Sequence, residues 1–119
     1  MVKEGEYIRT EKGTIAKIED IEFDLLFSTT DSKYLYKHWI NSNSCHLEKI
    51  IKSSSNIIDL IEVGDYVNGK KVDSISNGYV YEEFDFDTAT AICSEQNIKS
   101  IVTKEQFANI EYRIGENNE

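Results

Sequence analysis

The chain contains no proline, and its apolar residues come in short runs separated by glycine, asparagine, aspartate and serine. A backbone that turns on those residues, with β-branched and aromatic side chains between, is committed to short strands and tight reversals. Gly5 to Thr10 reads as a turn entering a strand. Glu11-Lys12-Gly13 reverses the chain and Thr14 to Ile18 resumes it, which makes an opening hairpin. A second hairpin begins at Gly64 and turns on Asn68-Gly69, and Asn77-Gly78 turns the chain again. Period-two patterning predicts strands over 7–10, 14–18, 34–40, 66–67, 71–75, 79–86 and 98–102. Leu47, Ile50 and Ile51 stand at helical spacing and predict a short helix over 45–51. Thr103 and Gln106 stand at capping-box spacing and predict another over 104–109.

These elements predict a mainly β fold: one small domain over 1–119 made of antiparallel hairpins, barrel-like or as two packed sheets, with one or two short helices. Residues 115–119 form a polar tail. A chain of 119 residues suits a single domain and buries roughly two-thirds of its unfolded surface. Lys52 to Asn56 is the most linker-like stretch, but either side alone would hold too little core. The expected core is Tyr7, Ile15, Ile18, Ile21, Phe23, Val67, Val72, Ile75, Phe84, Phe86 and Ile101. Gly5-Glu6-Tyr7-Ile8 echoes Gly64-Asp65-Tyr66-Val67, either as a true repeat or because this is a common way to enter a strand.

Acidic residues number 22 against 13 basic ones, a net charge of −9. Such a field repels nucleic acid and attracts basic protein surfaces. The acids are also patterned. Asp20, Glu22 and Asp24 alternate with Ile21, Phe23 and Leu25, and Glu83, Asp85 and Asp87 alternate with Phe84 and Phe86. On strands each trio would share one face, with carboxylates about 7 Å apart, near the phosphate spacing of a nucleic-acid strand. A row of that kind fits a basic groove built for DNA or RNA. The plainer alternative is the wet face of an amphipathic strand.

Templates for catalysis are missing. There is no glycine-rich phosphate loop and no Gly-x-Ser-x-Gly elbow. Cys45, His46 and His38 invite a nucleophile-and-base reading, but Cys45 and His46 are neighbours that point apart on a strand and do not face each other on a helix, and the spacing supplies no orienting third group. Cys45 and Cys93 form no paired zinc spacing with the two histidines and read as reduced thiols. Asp85-Phe86-Asp87 lacks the ligand number and glycine turn of a calcium loop. No catalytic residue, cofactor or metal is expected. Tyr34, Tyr36, Trp39, Tyr79 and Tyr81 form an aromatic set suited to a core or a protein-binding patch. No apolar run approaches the roughly 18 residues of a membrane span, and the first residues lack a secretory signal's apolar stretch.

The stretch from Asn56 to Gly69 resembles one found in small proteins encoded by prophages of low-GC Gram-positive bacteria. Tyr7 to Thr10 and Ile98 to Phe107 are similar to the same group, while residues 28–55 and 76–97 are not matched. The resemblance carries no catalytic motif and no site residue. It implies a small phage protein in the host bacterial cytoplasm, among genes that modulate the host. In that setting the expected function is an acidic, anti-CRISPR-like inhibitor of a host nucleic-acid-handling or defence protein. Its partner would have a basic groove, with no direct nucleic-acid or membrane binding. The alternatives are a protein that sequesters a small ligand or nucleotide signal, and a structural or assembly component of the phage.

Overall fold

The computed structural model describes residues 2–28, 33–41, 44–83 and 89–110. Among these residues eleven strands follow in order: β1 Tyr7–Thr10, β2 Ile15–Lys17, β3 Leu25–Ser28, β4 Lys33–Asn41, β5 Ser44–Ser54, β6 Tyr66–Val67, β7 Lys70–Lys71, β8 Ser74–Ser76, β9 Tyr79–Glu83, β10 Ala89–Ser94 and β11 Ile101–Val102. Helix α1 is the single turn Ile21–Asp24 and α2 is Lys104–Ile110. Short 3-10 turns cover Ile57–Leu60 and Glu95–Asn97. The architecture is mainly β, as the turn residues require. The described residues form three antiparallel sheets ordered β2-β1-β5-β4-β3, β10-β9-β8 and β11-β6-β7, rather than a closed barrel or two packed sheets.

The echo between the two glycine-led segments is structural. Gly5 N–H donates to Ile18 and Ile18 N–H to Glu6, at 2.7 and 2.8 Å. Gly64 N–H likewise donates to Val72 and Val72 N–H to Asp65, at 3.0 and 2.8 Å. Each acidic side chain closes its turn in the same way: Glu6 accepts from Lys3 N–H and Asp65 from Glu62 N–H. The strand residues that follow, Ile8 and Val67, are both fully buried. In each half the hairpin leads into a three-stranded meander, β3-β4-β5 or β8-β9-β10, and then a 3-10 turn. The first half keeps β5 long enough to pair with both β4 and β1. In the second, the 3-10 turn separates β10 from β11, and β11 makes the equivalent pairing with β6.

The core is divided in the same way. Val2, Ile8, Ile18 and Leu25 pack with Tyr34, Tyr36 and Ile50, and Ile61, Val67, Val72 and Val80 pack with Ile75, Ile92 and Ile101. Burial of these aliphatic chains supplies most of the drive to fold each half.

Several expectations need correction. The segment over 45–51 is not a helix but part of β5. Residues 71–75 split into β7 and β8. Of the expected core, Ile18, Val67 and Val72 are buried, and Tyr7, Ile15, Ile75 and Ile101 are half-buried. Ile21 and Phe23 are exposed, because α1 projects from the sheet instead of continuing it. Phe84, Phe86 and the tail over 115–119 lie outside the described residues.

Candidate functional site

The trio Asp20, Glu22 and Asp24 does not form a strand face. Asp20 has extended backbone and is the N-cap of α1, its carboxylate accepting from Glu22 N–H at 3.0 Å. Asp24 turns back at the other end and accepts from Glu19 and Asp20 N–H, at 2.9 and 3.0 Å. Short acidic side chains satisfy backbone donors better in such a turn than along a strand, and here they override the period-two pattern. Lys37 of β4 donates to the carbonyl of Glu22 at 3.2 Å and ties the turn to the sheet. The result is a fixed projection with Phe23, 70% exposed, surrounded in sequence by Glu19, Asp20, Glu22 and Asp24. Two of its carboxylates hold the turn. Those of Glu19 and Glu22 make no hydrogen bond or ion pair within the described residues and are free to meet a partner.

Glu83 ends β9 opposite Ala89, and its side chain, with Asp85 and Asp87, lies outside what the structure describes. In the aromatic set, Tyr34 and Tyr36 pack on the first core, while Trp39 and Tyr79 are exposed. His38 and His46 face each other across β4 and β5, and Cys45 stands opposite Trp39. Both cysteines are free thiols, and burial raises the pKa of Cys93. Among the described residues no group of three or more His, Cys, Asp or Glu side chains could hold a metal ion. No helix among them is long and apolar enough to cross a membrane.

The charged cluster that sequence reasoning missed lies between the two halves. Arg9 and Asp65 are fully buried. Arg9 Nη1 and Nη2 reach the two Asp65 oxygens at 2.5 and 3.0 Å, and Nη1 also donates to the Leu60 carbonyl at 2.9 Å. Glu105 of α2 takes a further bond from Nη2 at 2.7 Å. Burial alone would lower the Arg9 pKa, but Asp65, Glu62 and Glu105 outweigh it and raise it. Glu62, beside this pair, binds Lys104 Nζ at 2.7 Å and Lys52 Nζ at 2.9 Å. The Lys104 hydrogen bond leads in holding the Glu62 carboxyl down to about 2. Every carboxylate here has a cation partner, so the cluster is built as a clamp. Its one sequence signal is a lone arginine inside the apolar run of β1.

A third feature is an open groove of about 450 Å³ beside β5, where Lys33 and Tyr34 begin β4. Lys49, Lys52, Ile50 and Glu11 also line it. No protein family, curated protein or solved structure matches this chain.

Proposed function

We propose that this chain is an acidic binding protein, not an enzyme, which occupies the basic groove of a nucleic-acid-handling protein and so inhibits it. The observation that carries the reading is Phe23, a large aromatic side chain held out in solvent by a turn that four acidic residues build and flank. Exposed aromatic anchors dominate binding energy at interfaces, and a rim of like charge steers the encounter and selects an opposite surface. Glu83, Asp85 and Asp87 add to the same negative field through summed charge. The resemblance to prophage-encoded proteins supports a bacterial host cytoplasm as the setting of this reading. A defence enzyme that grips DNA or RNA, such as a CRISPR effector, is the partner class that fits.

The variant that tests this must leave the turn standing. Reversing Asp20 or Asp24 would remove a cap, whereas Glu19 and Glu22 can be changed without touching one. Glu19→Lys with Glu22→Lys takes the net charge from −9 to −5, two units for each reversal. Capture of host proteins on the immobilised chain should be strong at low salt, weak at high salt and lost in the double variant. Capture that is indifferent to salt and to both reversals, with folding intact, contradicts the reading.

A further inference from the structure

We infer that the groove beside β5 is a binding site for a small organic phosphate, independent of the acidic projection. The chain as a whole repels anions, yet three lysines and one glutamate, a local balance of +2, line this groove. Lys52 is neutralised by Glu62 at 2.9 Å. Lys33 and Lys49 have no carboxylate within salt-bridge reach among the described residues. Lys33, which begins β4, and Lys49 of β5 line the same groove. Two ammonium groups without a carboxylate in reach offer a bound phosphate charge-assisted hydrogen bonds.

The remaining lining sets the ligand class. Ile50 and Tyr34 offer apolar and aromatic surface beside the cations, and Tyr34 is steadied edge-on by Phe27 with ring centroids 5.3 Å apart. A volume of about 450 Å³ lies within the range of small-molecule sites and suits a nucleotide-sized body better than a bare ion. Glu11 opposes the phosphate and limits affinity.

Calorimetric titration with ATP and with inorganic triphosphate, supported by amide shifts in NMR spectra, tests the site. ATP should bind more tightly than triphosphate, and its shifts should centre on Lys33, Tyr34 and Lys49. Lys33→Gln with Lys49→Gln should weaken ATP by at least about tenfold, the loss expected of one charged hydrogen bond. Glu11→Gln should tighten it. Lys37→Gln and Glu19→Gln each change one charge outside the groove and should alter affinity less than twofold, about the scale of screened surface charge. The inference is overturned if ATP does not bind, if triphosphate binds equally well, or if the outside substitutions shift affinity as much as those in the groove.

Discussion

Arg9 and Asp65 meet as a buried two-pronged pair that joins the first half of the chain to the second, one supplied by a strand and the other by the turn before its repeat. The equivalent of Arg9 in the second half is Asn68. Asn68 Nδ2 donates to the carbonyl of Asn97 at 3.1 Å, as Arg9 does to that of Leu60, each carbonyl closing a 3-10 turn. The repeat thus keeps one structural task, tying a hairpin to the turn that follows its meander. In the first half a longer, charged side chain carries the tie on into the other half.

Asp65→Asn should destabilise the chain by about 3–5 kcal/mol, the usual result of stripping one partner from a buried ion pair. The Arg9→Met/Asp65→Leu double variant should cost less than the two single losses added together, because neither charge is then left alone. Urea denaturation of Asp65→Asn, of the single variants Arg9→Met and Asp65→Leu, and of their combination measures both effects.

Acid should loosen the same junction. Glu62 titrates near 2 in the folded chain against an ordinary value of 4.5, so its ionised form is favoured by folding. That contribution is complete above about pH 4.5 and is lost as the pH falls through about 2. Stability measured across this window should decline, and Glu62→Gln should flatten the decline while lowering stability at neutral pH.

Gly13→Ala should be harmful because the glycine, in the turn of the first hairpin, is buried. Gly13 has φ +90°, and a Cβ there would collide with the Thr103 hydroxyl and come within 2.9 Å of Glu105 Cβ. Thr103 Oγ1 donates to the Gly13 carbonyl at 2.8 Å, so the substitution also pushes α2 from its seat. A loss of about 1–3 kcal/mol is expected from such overpacking, measurable as a lower urea midpoint.

Local rules read well where one backbone arrangement dominates. Asn68-Gly69 and Asn77-Gly78 both take positive φ at both positions and make the two-residue hairpins their sequence demands. Thr103 and Gln106 bond each other's backbone N–H groups as a capping box requires. The misreading of β5 has a physical cause. Glu48 points inward, accepting from Thr10 and Thr14 hydroxyls at 2.8 and 2.6 Å, while Leu47 and Ile51 face solvent. A strand with its polar residue inside and its aliphatics outside defeats a pattern reader. The acidic trio failed differently, since backbone capping by Asp20 and Asp24 was worth more to the chain than continued pairing. Arg9 was illegible as a clamp because its partners Asp65 and Glu105 are distant in sequence.

Phe23→Ala should change folding stability by no more than about 0.5 kcal/mol, as expected of an exposed side chain away from any core. Its effect should fall on binding instead, which separates an anchor from a packing residue. Denaturation and capture assays on the same preparation measure the two.

The central claim is that the chain competes with nucleic acid for a basic groove, and DNA elution tests it most directly. Proteins captured from a Gram-positive bacterial lysate on the immobilised chain would be challenged with duplex DNA at constant ionic strength. The account predicts that a nucleic-acid-handling protein is released by the DNA, and that neither Phe23→Ala nor Glu19→Lys/Glu22→Lys retains it. Captured protein that stays bound under excess DNA, or that binds both variants as well as the original chain, would contradict it.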